Sequence, residues 1–231
     1  MIVRTLLVWV VGVPVVIIIF LCILLSFPFD RSGNTTHWFG RQWMRLLLAL
    51  SNVKVEVVGA DNLPDGAVVM ASNHQSAFDI LALHAYLPIQ FRWLAKKSLF
   101  KIPVVGWVMT IAGYISIDRA RASLAYKSIE RAAEKIKREG VSVVIFPEGT
   151  RGTTGELLPF KRGSFILAIK SGVPVIPVSI QGTLNILKKG SLLIRPANVK
   201  VVIGASVDST GVKEEELTKM VRAAVEKGLS C

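Results

Sequence analysis

Val141-Ser142-Val143-Val144-Ile145-Phe146 is followed at once by Pro147-Glu148-Gly149-Thr150-Arg151, and its pattern sets the fold class. The first six residues are of strand length and almost uniformly apolar. Such a run, without polar alternation, fits a strand covered on both faces, as in a parallel sheet flanked by helices. Immediately upstream, Ala122 to Glu139 reads as a helix. Leu124, Ile129, Ala132, Ala133 and Ile136 form its apolar stripe and Gly140 ends it.

The same alternation of element types extends outward. Val53, Val55 and Val57 alternate with Lys54 and Glu56, which predicts a half-buried strand; Ala67 to Ser72 is a second strand after the turn Asn62-Leu63-Pro64-Asp65-Gly66. A helix is expected over 77–86, strands over 90–95 and 114–117, and a largely apolar segment between them. Beyond Arg151 come a helix over 163–171, strands over 175–180 and 199–203, and a carboxy-terminal helix near 214–227. Strands alternating with helices give an α/β fold: a central, mostly parallel sheet flanked by helices. Residues 52–231 form this domain and residues 1–51 a helical membrane anchor.

The anchor is read from charge and length. From Thr5 to Phe29 no residue is charged, and those residues would span roughly 38 Å as a helix, against the roughly 30 Å of a bilayer core. The run is too long and uniform for a cleaved signal peptide. Pro14 lies in its middle and favours a kink. From Thr35 to Leu50, Trp38, Phe39, Trp43, Met44, Leu46, Leu47 and Leu50 fall largely on one side and Arg41 and Arg45 on another. That pattern reads as a helix at the membrane interface, or as a helix packed on the main domain. Arg31, Arg41, Arg45 and a basic domain follow the apolar run, so the positive-inside rule places the domain on the cytoplasmic face; the membrane expected is the cell inner membrane. The run then either spans or forms a kinked hairpin dipping into one leaflet, and the kink favours the hairpin.

Composition agrees. Among 231 residues there are 28 Lys and Arg against 16 Asp and Glu, a net charge of +12, and 52% of residues are hydrophobic. Basicity joined to apolarity points to an anionic membrane rather than nucleic acid, for which no module is present. Cys22 and Cys231 stand at opposite ends, which excludes a disulfide framework or a cysteine metal cluster and is simplest in the cytosol.

Two constellations carry chemistry. Asn73-His74-Gln75-Ser76-Ala77-Phe78-Asp79 leads from a buried strand into a helix. If His74 sits in the loop, Asp79 on the first turn can reach back, fix the imidazole tautomer and leave the other nitrogen as a base. Ser76 and Asp79 equally fit a capping box, which assigns Asp79 no chemistry. The second constellation is Phe146-Pro147-Glu148-Gly149-Thr150-Arg151, at a strand's carboxyl end, where α/β proteins place their ligands. Gly149 permits close backbone approach and Arg151 offers a fork for phosphate; a solvated turn is the other reading. His84 is expected on its helix surface, and His37 belongs to the interfacial segment.

Together the blocks resemble the phospholipid and glycerol-phosphate acyltransferase family. Asn73 to Asp79 is similar to its first block, Gly113-Tyr114-Ile115-Ser116-Ile117-Asp118-Arg119 to its second, Phe146 to Arg151 to its third and Val173 to Val178 to its fourth, in the family's order. Within the family the chain most resembles the 1-acylglycerol-3-phosphate acyltransferases. The resemblance implies that His74 deprotonates the sn-2 hydroxyl of lysophosphatidic acid, oriented by Asp79, and that the hydroxyl attacks acyl-ACP or acyl-CoA directly to give phosphatidic acid. It implies no acyl-enzyme, metal or cofactor. Glu148, Gly149, Thr150 and Arg151 would hold the acceptor, with Lys96 or Lys97 and Arg119 as further phosphate ligands. A different lyso-acceptor, such as a lyso-ornithine lipid, and a non-catalytic lipid-binding protein at the membrane surface are the competing readings.

Overall fold

The computed structural model describes residues 2–118, 120–187 and 191–230. Seven strands form one sheet: β1 (Val53–Val58), β2 (Val69–Ser72), β3 (Phe91–Lys96), β4 (Ile115–Ile117), β5 (Ser142–Ile145), β6 (Val175–Gln181) and β7 (Ala197–Ile203), in the order β1-β7-β6-β2-β5-β3-β4. Every pairing is parallel except β6 with β7. The helices are α1 (Ile2–Ser26), α2 (Asn34–Leu50), α3 (Ala77–Tyr86), α4 (Val105–Ile111), α5 (Ala122–Glu139), α6 (Ile166–Ser171) and α7 (Glu214–Gly228).

Both faces of the sheet are covered, so the strand side chains sort by alternation. Met70 and Val144 join the core that α2 and α3 complete, while Val69, Ala71, Val143 and Ile145 face α5, α6 and α7. The central strands β2 and β5 are therefore buried along their whole length. On α5 the buried stripe is Ser128, Ile129, Ala132, Ala133 and Ile136. Leu124, expected in it, is exposed, and Ser128 takes its place. The Ser128 hydroxyl donates to the Leu124 carbonyl and accepts from the Asp118 amide, so burial leaves it satisfied.

The amino-terminal segment departs from expectation in two ways. α1 runs unbroken past Pro14, and the chain reverses instead at 27–33. One missing hydrogen bond does not break a helix with ten or more helical residues on either side. Thr5, Val8, Gly12 and Ile23 are the buried residues of α1, and Val8 and Leu48 belong to the same core as Met70. Arg41 and Arg45, expected at a lipid surface, turn inward. Arg41 donates to the carbonyls of His84, Leu87 and Ile89, and Arg45 to that of Ala85. These carbonyls lie at or just past the end of α3, where they lack helical partners and a cation is favourable.

His84 and His37 are likewise buried, not on a surface, with ring centroids 4.2 Å apart. Trp93 Nε1 donates to His84 Nδ1 at 3.2 Å, which leaves His84 Nε2 to donate to the His37 carbonyl at 3.1 Å. Helical periodicity could not reveal this, because α3 packs against α2 on one side and the sheet on another. Burial lowers the pKa of His84 to about 4, and Arg41 and Arg92 push the same way, against the pull of the His37 carbonyl. His37 is also lowered by its burial.

Both rings are thus held neutral in the folded protein and take up a proton more readily when it unfolds. Their contribution to stability is complete above pH ~6.5 and is lost as pH falls toward 4. The unfolding midpoint in detergent should fall over that range, and less steeply in His84→Gln; identical slopes would contradict the assignment.

Candidate active site

Parallel pairing of β2 with β5 sets Ala71 beside Ile145, so the loops that follow the two strands leave the same edge of the sheet as neighbours. The first is anchored at once. Asn73 is buried; its Nδ2 donates to the Ile180 carbonyl at 2.9 Å and its Oδ1 accepts from the Ile180 amide at 2.8 Å. This ties the exit of β2 to β6. The His74 backbone is then clamped by the second loop: its amide donates to Glu148 Oε1 at 2.7 Å and its carbonyl accepts from the Gly152 amide at 2.8 Å.

The capping box and the histidine contact of Asp79 are one arrangement. Ser76 is the N-cap of α3 and closes a capping box with Asp79. The same carboxylate oxygen, Oδ2, accepts from the amides of Gln75 and Ser76 at 2.6 and 2.8 Å and from His74 Nδ1 at 2.8 Å. Asp79 is fully buried, while the His74 side chain keeps 12% of its surface. With Nδ1 given to Asp79, Nε2 makes no hydrogen bond among the described residues. Phe146 lies flat against the imidazole, with centroids 3.9 Å apart and planes at 13°, and Trp93 stacks behind Phe146 at 5.5 Å. Ring position, plane and tautomer are all fixed, so the group is prepared to take a proton at Nε2.

Glu148, expected to bond a ligand's glycerol oxygens, is buried and turned toward the His74 amide instead. Burial pushes its carboxyl pKa up, against the pull of that amide. Gly149 has φ +73°, and a Cβ there would lie 2.7 Å from Lys161 Nζ, so the glycine both makes the turn and leaves room for a lysine. Thr150 and Arg151 line a cleft of about 740 Å³ together with Gln75, Ser76, Gly152 and Thr153; Leu184, Asn185, Leu187 and Ser191 form its other wall. A smaller, mainly apolar pocket of about 230 Å³ lies between Leu94, Ile117, Ala125, Ile129, Ile145 and Phe146, with Arg121 and Lys161 also on its lining.

Of the remaining candidates, Lys96 is exposed and Lys97 donates to Asp118 at 2.9 Å; neither lines either cavity. Arg119 lies outside the described residues. The wall residues Leu184, Asn185, Leu187 and Ser191, Lys161, and the stacking of Phe146 on the His74 ring were not recognised as site features from sequence. A buried asparagine at a strand end, needing partners for both amide atoms, is the one signal that could have marked Asn73 as the anchor.

Comparison with known proteins finds the chain similar to one family along most of its length. An acyltransferase family model covers residues 54–181. The chain is 36% identical to the chloroplastic 1-acyl-sn-glycerol-3-phosphate acyltransferase BAT2 of Brassica napus, over 76% of this chain and 51% of that protein. To the 1-acyl-sn-glycerol-3-phosphate acyltransferase of Borreliella burgdorferi it is 33% identical, over 82% of this chain and 77% of that one. The first three relatives compared are longer, and the chain spans 51%, 57% and 64% of their length. The crystal structure of the 1-acyl-sn-glycerophosphate acyltransferase PlsC from Thermotoga maritima superposes with a TM-score of 0.85 at 30% identity, covering 99% of this chain and 94% of that one.

Asn73→Ala would strand the amide and carbonyl of Ile180 in the core, a loss of about 2–4 kcal/mol in denaturant unfolding. A change under about 0.5 kcal/mol, as at an ordinary surface site, would show that the anchor does not hold the loop.

Proposed function

The chain belongs to the acyltransferase family, and on that premise we propose that it transfers a fatty acyl chain from acyl carrier protein or coenzyme A to the sn-2 hydroxyl of 1-acyl-sn-glycerol-3-phosphate, giving phosphatidic acid. The observation that carries this reading is the 2.8 Å contact of His74 Nδ1 with the buried Asp79, beside a cleft that Arg151 lines. Relatives along most of the chain bear the corresponding name.

In the proposed reaction His74 Nε2 takes the hydroxyl proton as the oxygen attacks the thioester carbonyl, and Asp79 stabilises the imidazolium that results. Collapse of the tetrahedral intermediate expels the thiolate, which recovers the proton from His74. No acyl-enzyme is needed: Cys22, the one cysteine among the described residues, lies on α1. Arg151 pairs with the acceptor phosphate as a charge-assisted hydrogen-bond donor. Glu148 acts through the backbone of His74, not by touching substrate. The protein works at the cytoplasmic face of the inner membrane. α1 runs along the domain, with Thr5 Oγ1 accepting from the Ile194 amide and Phe20 stacking on Trp107, which favours a hairpin of α1 and α2 in one leaflet over a span.

A panel of lyso-acceptors with labelled acyl donor tests the assignment: product is expected with 1-acylglycerol-3-phosphate. Product only with another acceptor would keep the chemistry and overturn the substrate. Arg151→Ala should raise the acceptor KM about 10- to 100-fold, as loss of a charged hydrogen bond does, and leave the donor KM unchanged. A change in donor KM alone would remove Arg151 from the acceptor site.

A further inference from the structure

The crossover from β3 to β4 leaves the same carboxyl edge of the sheet as the His74 loop, and it has an unusual design. A crossover in a parallel sheet ordinarily buries its apolar face on that sheet. Here a 3-10 turn (Lys97–Lys101) and α4 turn theirs outward: Leu99, Ile102, Val104, Val105 and Trp107 are all exposed, and Gly106 is the one buried residue of α4. The shape is held by the backbone. Val104 has φ +66° and ψ −58°, a conformation costly for a β-branched residue, closed by the Val105 amide donating to the Pro103 carbonyl at 2.7 Å. A Cβ on Gly106 would lie 2.1 Å from the Phe100 carbonyl oxygen, so the turn folds back on itself without space to spare.

This lip is continuous with the apolar side of α1. Trp107 stacks on Phe20 with centroids 6.3 Å apart, and the backbone of Gly33, in the turn after α1, packs against Ala112. Lys96 and Lys101 stand at its base with Lys97, which pairs with Asp118, and no acidic residue occurs between Asp79 and Asp118. An apolar tip with a basic collar, joined to a long apolar helix, matches an anionic bilayer better than another protein surface.

We propose that the β3–β4 crossover is a second membrane-inserting element, its tip at Ile102 to Trp107 entering the acyl region while its lysines meet anionic headgroups. The inference rests on the membrane reading of α1 and adds to it. The α1–α2 hairpin alone would leave the domain free to tilt on the membrane. A second contact, on the site's own edge of the sheet, fixes the tilt and holds that edge against the bilayer. Leu94 and Ile117, on the strands that the lip joins, line the 230 Å³ apolar pocket, so insertion sets that pocket beside the lipid.

The test uses the full chain on vesicles of phosphatidylethanolamine and phosphatidylglycerol. In a Cys22→Ser, Cys231→Ser background, an environment-sensitive fluorophore is attached through Val105→Cys, through Ile18→Cys on α1, or through Lys127→Cys on α5. Acyl-chain nitroxide lipids should quench, and the bilayer blue-shift, the probes at 105 and 18, with the probe at 127 unchanged. Quenching at 18 with an aqueous probe at 105 would overturn the inference and spare the membrane reading; aqueous probes at both would remove both. Independently, Ile102→Asp with Val105→Asp should weaken vesicle partitioning about tenfold or more, while transfer to a short-chain, water-soluble acceptor stays at the wild-type rate. Unchanged partitioning would likewise overturn it.

Discussion

A carboxylate with no exposure to water must find its donors inside the protein, and Asp79 finds three of them for one oxygen. Two are backbone amides at the start of α3 and the third is the His74 ring. The hydrogen bonds that start the helix therefore also aim the imidazole. Helix and base cannot move independently, because a shift in α3 would leave a buried anion short of donors. The fold supplies the other constraints. Parallel pairing of β2 and β5 sets their loops side by side, Asn73 ties one of them to β6, and Glu148 and Gly152 clamp His74 from the other.

Much of this was legible in the sequence, for a physical reason. Strands buried on both faces must be apolar throughout, and helices on such a sheet must carry a stripe, so β5 and α5 announce themselves. The His74 and Asp79 pair was visible, but spacing alone offered capping and chemistry as rivals. In the folded protein one oxygen accepts from both the capping amides and the His74 ring. What sequence does not carry is direction. Arg41 and Arg45 look like lipid-facing cations, yet they satisfy carbonyls at the end of α3. His84 looks like helix surface until α2 covers it. Glu148 reads as a ligand residue, and its neighbour in space is the backbone of a residue 74 positions earlier. The far wall of the cleft, near Leu184 to Ser191, lies over a hundred residues from His74 and carries no local signal.

The amino-terminal helices are part of this mechanical frame. α2 lies between α1 and α3, Val8 and Leu48 share the central core, and the His37–His84 contact couples α2 to the element that holds Asp79. Trp93 connects the same cluster to the stack beneath His74, since it donates to His84 and packs on Phe146. An unbroken physical path thus joins the apolar helix to the base. In the proposed reaction both substrates carry acyl chains, and such a frame fixes where the base stands relative to the surface from which they arrive.

In the proposed reaction His74, held by Asp79, is the base for acyl transfer to lysophosphatidic acid. The deciding measurement is the phosphatidic acid formed from labelled acyl thioester by the purified wild-type protein and by His74→Ala. Alanine keeps the backbone bonds to Glu148 and Gly152, so the site should persist without its base. Product is expected from the wild type and a fall of about 10²-fold or more in the variant, with vesicle binding unchanged. Turnover near the wild-type rate in His74→Ala would contradict it.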